Sequence, residues 1–406
     1  MFLAKNKWGF SVHKRAWIAG LALGYIMVLL AWAAPAQAEP YMAVRDGYKC
    51  SKCHVNKTGG GKRSGYASVY MQTRMAGNEV SAASANGASD KEAFAHSYLN
   101  PTVSIGADVW VTYTQAKLRS EDQGQEYFNR PSECESCHQS TSSGGKLAEV
   151  YLQMEAIPEK LSVVAAQNLL PSSDSREVYA LVEGLPLNGY VKAGTFRLPV
   201  GLANSYDDPF FHGNSRQGHG FKNVEGVESF RDTGAEFGWE PGALALSLSI
   251  TDAESDRDNR YMLMGYTVGG WGMAGLTYGS APVTPTRNRA ATGVFVGSSL
   301  GAFTGLLQMN NLSEEDSADK STLTYSFTMV ELNMLFAKGH NIKLAYEYMD
   351  PDTTTEQNLE DRLSLIYEPF FTPNLQARFG YRTYYGPEAN PWTNQTKLIA
   401  ALHVFY

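Results

Sequence analysis

The segment VSIGADVWVTYT, residues 103–114, alternates apolar side chains with small, polar or charged ones along its length. This alternation has the period of a β-strand, whose successive side chains point to opposite faces. The same period returns at 233–240, 244–251, 342–349 and 375–382. In each segment one face is apolar, with aromatic residues near the ends, and the other is small, polar or charged. The chain is therefore predicted to be all-β, with two unlike faces on each strand.

Sixteen segments of this kind follow one another to the end of the chain. Their predicted starts lie near residues 103, 147, 161, 176, 188, 231, 243, 259, 271, 289, 302, 322, 341, 359, 375 and 396. Short connections are predicted near Pro158, Pro186, Pro241, Gly270, Gly301, Gly339 and Pro373. Long polar connections are predicted at 117–146, 170–175, 198–230, 252–258, 281–288, 313–321, 350–358 and 386–395. Short turns at one end and long loops at the other are typical of an outer-membrane β-barrel.

The fold prediction is an antiparallel outer-membrane β-barrel of about 16 strands over residues 101–406. It places the protein in the outer membrane of a Gram-negative bacterium, with outer-membrane lipid against the apolar faces. The last run, 398–406, alternates and ends on an aromatic residue, which is typical of the terminal strand of such barrels. A secreted β-sandwich or a soluble barrel also buries one face of each strand, so alternation alone leaves that alternative open.

Residues 1–38 are predicted to be a secretory signal peptide. Four basic residues precede an apolar run at 16–34, and Ala36-Gln37-Ala38 is a small-x-small cleavage site. The length of the apolar run leaves an uncleaved membrane anchor as the alternative. Removing the four basic residues changes the net charge from −7 to −11, with the mature chain starting near Glu39. Such acidity argues against nucleic acid as a partner and suits a redox partner with a basic face.

Two C-x-x-C-H motifs use all four cysteines of the chain. They are Cys50, Cys53 and His54 in the first motif, and Cys134, Cys137 and His138 in the second. This spacing suits c-type haem attachment, in which both thiols bond to the haem and the histidine is the proximal iron ligand. The motifs therefore predict two covalently bound haem c groups. The alternatives are a pair of disulfides or a zinc site. No nucleophile or carboxylate pair arranged for catalysis is apparent, so no catalytic residue is assigned.

The motifs divide between the two sides of the predicted membrane. Residues 39–100 form a short haem segment with a helix at 64–75 and a linker at 76–90, and they precede the first strand. The second motif lies in the long connection 117–146, which is predicted to open at the extracellular rim. Gly-Gly-Lys follows each histidine at the same offset, at 60–62 and at 144–146. These glycines let the backbone pass close to a haem edge, or they are flexible loop residues.

Each haem iron has a sixth coordination position, for which the sequence offers several distal ligands. For the first haem the candidates are His96, just before the first strand, and His403 of the last strand. His403 shares the parity of Ile399, Ala401 and Phe405, and it points into the lumen if the opposite face, which includes Leu398 and Leu402, meets lipid. Methionines of the first segment compete with them, namely Met42, Met71 and Met75. For the second haem the candidates are His212 and His219, in the long connection 198–230.

A signal peptide, one N-terminal C-x-x-C-H site and a barrel of about sixteen strands together resemble the fused cytochrome–porins. That resemblance implies an outer-membrane electron conduit, as in iron oxidases, and Cys50, Cys53 and His54 match the single attachment site of the family. The second site at Cys134, Cys137 and His138 departs from the pattern and puts iron oxidation in doubt. By role alone the chain also resembles the porin–cytochrome complexes that move electrons outward with separate subunits.

The function predicted is electron transfer between a periplasmic c-type cytochrome and an extracellular donor or acceptor. That external partner is iron, a mineral or another cytochrome, and the protein is an electron-transfer protein more than a catalyst. Two alternatives remain. One is a solute porin whose haems are structural or regulatory. The other is a surface oxidase or reductase of iron with an open haem iron, which would bind carbon monoxide on reduction.

Overall fold

The fold is taken from a computed structural model, which describes eleven segments of the chain. They are residues 39–75, 98–100, 102–118, 139–169, 176–202, 231–252, 259–282, 286–318, 320–353, 358–387 and 394–405. Most of this described part is β-strand, and the helices are confined to short stretches before and between the strands.

The described strands are numbered in chain order. They are β1 (Tyr98–Asn100), β2 (Val103–Leu118), β3 (Gln139–Ile157), β4 (Leu161–Asn168), β5 (Arg176–Leu185), β6 (Gly189–Arg197), β7 (Arg231–Trp239), β8 (Leu244–Asp252), β9 (Asn259–Gly269), β10 (Gly272–Pro282), β11 (Arg287–Leu300), β12 (Phe303–Asp316), β13 (Thr322–Ala337), β14 (His340–Asp350), β15 (Glu360–Thr372), β16 (Leu375–Tyr385) and β17 (Gln395–Phe405). Strand β1 has three residues and pairs with the start of β2.

Strands β2 to β17 form a closed antiparallel barrel. Each pairs with its neighbour in the chain, and β17 pairs with β2 along eleven residues, from Gln395 opposite Leu118 to Phe405 opposite Asp108. Among the described residues, closure gives every strand from β2 to β17 a neighbour on both sides, which a barrel in lipid requires. The predicted fold of about sixteen strands is confirmed.

Fifteen of the sixteen long strands begin within two residues of the predicted start. Strand β3 is the exception: it begins at Gln139, whereas a start near 147 was predicted, and that boundary is wrong. Residues 139–146 have no apolar alternation, yet they pair with the outer half of β2, with Gln139 opposite Lys117. Backbone pairing to an existing strand extends β3 beyond its alternating residues. The short strand β1 was not predicted.

The two faces of the barrel wall differ in the way the alternation predicts. In β15, Leu363 and Leu365 are exposed on the outside, the latter by 52%, whereas Arg362 and Ser364 are buried on the inside. A soluble sandwich or soluble barrel would bury the apolar face. An outward apolar face and an inward charged face instead fit a wall surrounded by lipid. The barrel is an outer-membrane barrel.

The helical residues belong mainly to the segment 39–75. Its elements are the helix Pro40–Asp46, the single turn Cys50–Cys53, the helix Gly65–Tyr70 and the π-helical turn Met71–Met75, and a 3₁₀ turn, Pro186–Asn188, connects β5 to β6. The helix predicted at 64–75 is confirmed, and the Ser64 hydroxyl caps it by accepting a hydrogen bond from the Ala67 amide. Among the described residues, no helix is long and apolar enough to cross a bilayer.

Segment 39–75 lies inside the barrel, at the end that carries the short connections. Arg45 donates a hydrogen bond to the carbonyl of Ala302, in the short turn between β11 and β12. Gly47 lies against the carbonyl of Gly269, at the end of β9. The apolar side chains of the first helix join a buried cluster with barrel residues such as Phe295. The short-turn end of the lumen is therefore filled by the segment that carries the first C-x-x-C-H motif.

Candidate functional site

The first C-x-x-C-H motif lines a cavity inside the short-turn end of the barrel. Residues Cys50–Cys53 form one helical turn, which brings both cysteines to the same side. His54 follows in extended conformation, and its backbone amide donates to the carbonyl of Cys50 at 3.0 Å. Cys50, Cys53 and His54 all line one partly open cavity, whose empty space of about 490 Å³ includes solvent at its open side.

The other walls of this cavity come from three separate parts of the chain. Pro40 and Ala43 come from the first helix, Leu202 from the residues that follow β6, and Met273 from β10. Most of these side chains are apolar. Glu39 and Thr58 are the polar lining residues apart from the motif itself.

The residues after β6 turn into the lumen. Leu198, Val200 and Leu202 are buried, and the Gln308 side chain of β12 donates to the carbonyl of Val200 at 3.1 Å. The beginning of the connection predicted at 198–230 therefore helps to enclose the cavity. His212 and His219, further along the same connection, lie outside the described residues.

Three hydrogen bonds to strand β9 and to the turn between β7 and β8 hold the motif in place. The Cys50 amide donates to the Tyr266 hydroxyl of β9 at 3.1 Å. The Ser51 hydroxyl donates to the Glu240 carboxylate at 2.7 Å, and the Lys49 amine donates to the Glu240 carbonyl at 2.9 Å. Glu240 follows β7 in the short turn to β8, so Lys49 and Ser51, on either side of Cys50, fix the motif to a distant turn of the barrel wall.

Glu39, the first described residue, is held by two cations of the barrel. Its carboxylate lies 3.1 Å from the Lys343 amine of β14 and 3.1 Å from the Arg378 guanidinium of β16. Glu368 of β15 lies 2.9 Å from Arg378 and 3.7 Å from Lys343, so the cations are shared. Burial raises the pKa of the Glu39 carboxyl, and the two cations oppose that shift. The cluster fixes the start of the segment across the lumen.

The loop after His54 depends on three glycines. Residues 59–61 all have positive φ, between 66° and 98°, a conformation that glycine adopts without strain. A Cβ atom on Gly60 would lie 2.8 Å from the guanidinium of Arg197. The loop returns so that His54 and Arg63 form a β-bridge, and Arg63 reaches Asp108 of β2 at 3.4 Å. The glycines thus serve a tight turn packed on the barrel wall.

The second Gly-Gly-Lys does not share this conformation. Residues 144–146 lie within β3, and a Cβ atom on Gly144 would meet nothing within 4 Å. The equal spacing of the two copies therefore does not reflect equal local structure. The motif residues Cys134, Cys137 and His138 lie outside the described residues, and β3 begins at the next residue, Gln139.

The two described cysteines are free thiols, not a disulfide. Burial raises the pKa of the Cys50 thiol and raises that of the Cys53 thiol to about 12. Nor do the described residues include three or more His, Cys, Asp or Glu side chains grouped to hold a metal ion. Two free thiols beside an imidazole, on the wall of a mostly apolar cavity, fit what covalent haem attachment requires.

His403 points into the lumen, as its parity predicts, and is fully buried. Its Nδ1 lies 2.9 Å from the Gln376 side chain and its Nε2 lies 2.8 Å from Asp108. The ring also stacks on Trp110, with centroids 3.8 Å apart. Iron binding would break one of these hydrogen bonds, so the contacts favour a structural role. Its assignment as a distal ligand stays a prediction.

The methionines predicted as competing distal ligands of the first haem do not line the cavity. Met42, Met71 and Met75 are buried in the apolar cluster, but none of them lines the cavity with His54. His96 lies outside the described residues.

The comparisons with known proteins concern the barrel. No family model matches the sequence, and no curated protein matches it. Solved structures do match: an anion-selective porin from Comamonas acidovorans has a TM-score of 0.58 at 10% identity, over 75% of this chain and 99% of the porin. The barrel has the fold of an outer-membrane porin.

Two further structures support the porin fold. A loop-deletion form of OmpT from Vibrio cholerae has a TM-score of 0.53 at 12% identity, over 75% of this chain and 99% of its own. OmpF of Salmonella typhi in complex with daunomycin has a TM-score of 0.52 at 8% identity, over 75% and 97%. At identities this low, the likeness establishes the porin-like barrel fold and nothing finer.

Inside this porin-like barrel, the sequence patterns missed two features of the site. Met273 occupies a lumen-facing position of β10, where the next lumen-facing residues are Gly275, Thr277 and Gly279. A large apolar side chain among small and polar ones was the available signal. The second feature is the ion cluster of Glu39, which joins residues 304 positions apart and leaves no local pattern.

Proposed function

We propose that the protein transfers electrons across the outer membrane through a porin-like barrel. The observation that carries this proposal is the position of the first C-x-x-C-H motif, which is fixed inside the short-turn end of the lumen. In outer-membrane barrels the short turns face the periplasm. When bound, haem c supplies reversible one-electron transfer. Cys50 and Cys53 would hold it covalently, and His54 would ligate its iron.

The second motif gives the proposed path its outer end. Strand β3 begins at Gln139, directly after that motif, and Gln139 pairs with Lys117 at the long-connection end of β2. Arg63 of the first segment contacts Asp108 of the same strand. Nine residues separate Asp108 from Lys117, which is about 30 Å along a strand. The two haem sites would then lie near opposite ends of that span, so that electrons would cross the membrane between them.

The partners follow from the two ends. A periplasmic c-type cytochrome would exchange electrons at the short-turn end, and an extracellular donor or acceptor, such as iron, a mineral or another cytochrome, would do so at the other end. The resemblance to fused cytochrome–porins supports this assignment. The second attachment site leaves both oxidation of external iron and export of electrons as directions of flow.

A solute porin is the second candidate, and the structural neighbours on their own favour it. All of the reported neighbours are outer-membrane barrels, and one is described as anion-selective. Against it stands the segment 39–75, which fills one end of the lumen with apolar side chains and ion pairs. A solute porin needs an open aqueous path through that end.

Proteoliposomes separate the two candidates. Dithionite is added outside vesicles that enclose a redox dye, and the full-length protein is compared with the Cys50→Ala, Cys53→Ala double variant. The proposal predicts fast dye reduction by the full-length protein and a rate equal to that of protein-free vesicles for the variant. Swelling of the same vesicles in a neutral sugar measures solute passage.

Three outcomes contradict electron transfer through this site. In the first, vesicles with the full-length protein reduce the dye no faster than empty vesicles. In the second, the double variant gives the same rate as the full-length protein. In the third, solute passage measured by swelling in sugar accounts for the whole rate of dye reduction. The last two outcomes support the solute porin, because dithionite would then enter by diffusion.

A further inference from the structure

We propose that Met273 is the distal axial ligand of the haem attached at Cys50 and Cys53. This inference rests on the proposed function, because it requires a haem at that site. Met273 lies on β10 and is 1% exposed. It lines the same cavity as His54, the proximal ligand, from a different part of the chain.

Met273 is also the suitable donor among the residues around this cavity. Haem iron takes histidine, methionine, cysteine or tyrosine as axial ligands. The thiols of Cys50 and Cys53 serve the covalent attachment. The polar lining residues Glu39 and Thr58 have partners of their own, the former in its ion pairs and the latter by donating to the Asn56 side chain. A thioether is a soft ligand that suits a c-type haem.

The hairpin that carries Met273 is the same hairpin that holds the motif. Strand β9 supplies the Tyr266 hydroxyl that accepts from the Cys50 amide at 3.1 Å. A Cβ atom on Gly47 would lie 2.6 Å from the carbonyl of Gly269, at the end of β9, so the backbones touch directly. Because β10 follows β9 after two residues, these contacts fix Met273 relative to His54.

The hairpin itself is rigid at this point. Met273 pairs with Val268 of β9 on one side and with Gly297 of β11 on the other. Its backbone is therefore paired to a strand on each side. A Cβ atom on Gly272 would lie 2.0 Å from the carbonyl of Gly297, which leaves no room for another residue. A ligand on a strand held from both sides is well placed, since a rigid element positions a site more accurately than a loop does.

The test uses the full chain, purified from outer membranes, with Cys134 and Cys137 changed to alanine in every sample. These changes leave one haem site to observe. Met273→Leu keeps the volume of the side chain and removes the sulfur. Met42→Leu is the matched control, because Met42 is equally buried in the same cluster but does not line the cavity.

We expect Met273→Leu to lose the long-wavelength absorption band of a methionine-ligated ferric haem, to lower the reduction potential and to bind one equivalent of carbon monoxide on reduction. The parent and Met42→Leu keep the band and bind no carbon monoxide. Met273→His keeps the iron six-coordinate and gives a bis-histidine spectrum. This variant tests the assignment even if Met273→Leu fails to fold.

An unchanged spectrum in Met273→Leu, or a spectrum in Met273→His that matches the parent, overturns the ligand assignment and leaves the proposed function intact. A parent protein with no covalent haem at Cys50 and Cys53 overturns both. The two failures are therefore distinguishable in the first sample measured.

Discussion

The barrel wall and the segment inside it reach their structures by different routes. Each strand of the wall pairs with its neighbours in the chain, and its alternation of side chains already separates lipid from lumen. Segment 39–75 has short helical elements, and its fixed contacts are to distant strands, as between Glu39 and Lys343. The structure of the wall is thus specified by local sequence patterns, whereas the structure of the segment depends on contacts with the barrel around it.

Deleting residues 39–75 is the largest test of this difference. We expect the barrel to fold, because none of the pairings between β2 and β17 involves the segment. The lumen should open, and vesicle swelling in a neutral sugar should rise from near background to the rate of a general porin. Heat-modifiable migration in gels reports the folded barrel. An unfolded barrel would contradict independent folding of the wall, and unchanged swelling would contradict the segment as the obstruction.

Leu365→Arg tests the wall alone. The side chain faces outward near the middle of β15, so the substitution puts a charge into lipid and should cost about 2–4 kcal/mol of barrel stability. Urea titration of the barrel in vesicles measures it. Leu300→Arg is the control, because Leu300 ends β11 at a short turn and is 84% exposed. Equal losses in the two variants would mean that Leu365 does not face the hydrocarbon.

Lys62→Met tests how the packing of segment 39–75 inside the barrel depends on pH. Burial lowers the pKa of the Lys62 amine from 10.5 to about 8, against the opposing charge of Glu155. When segment 39–75 is packed in the barrel (docked), the amine loses its proton near pH 8, whereas in the released segment it keeps the proton up to about pH 10.5. Between these values the released segment binds more protons, so docking becomes more favourable as pH rises from 8 to 10.5. Below pH 8 the docked amine is charged, and docking bears the full cost of burying that charge. Removing the amine should stabilise docking by roughly 3 kcal/mol at pH 7.

Hydrogen exchange of residues 39–75 between pH 7 and pH 10, corrected for the intrinsic exchange rate, measures this effect. The parent should gain protection as pH rises, and Lys62→Met should not. Lys52→Met is the control, because Lys52 is exposed. The same pH dependence in the parent and in Lys62→Met would show that the Lys62 amine is not buried by docking.

Glu39→Gln tests the start of the segment, with a smaller effect. It removes one charge from Lys343 and Arg378, but Glu368 stays close to both cations. We therefore expect a loss of about 1–2 kcal/mol in docking, below the cost of a buried cation left without any partner. Protease cleavage within 39–75 measures the population of the released segment.

Glu183→Gln is the matched change at the surface. Its partner Lys57 belongs to the same segment, and both side chains are partly exposed, by 28% and 22%. Screening by solvent should keep this loss below about 1 kcal/mol. Equal cleavage in the two variants would mean that Glu39 is not buried among the barrel cations.

The sequence predicted the wall well because its information is local. Alternation in β2, β15 or β17 can be recognised within ten residues, and the turn residues mark the ends. The start of β3 was missed because residues 139–146 follow the backbone of β2 and not a pattern of their own. The first C-x-x-C-H motif could be recognised for the same reason as the strands, since its spacing is local.

The walls of the cavity could not be predicted in this way. Met273 and His54 are brought together only when the barrel closes around the segment, and Tyr266 meets Cys50 across 216 residues. His403 was correctly placed in the lumen by parity, but its bonds to Asp108 and Gln376 depend on neighbouring strands. Periodicity gives the direction of a side chain and not its partner.

The segment inside the barrel is proposed to carry a covalent haem. Mass spectrometry of the protein purified from outer membranes decides whether it does, by intact mass and by the tryptic peptide that contains Cys50 and Cys53. We predict two haems per chain, one of them on this peptide, released only by chemistry that cleaves thioether bonds. A peptide found with free thiols or with a Cys50–Cys53 disulfide would show that no haem is attached at this site.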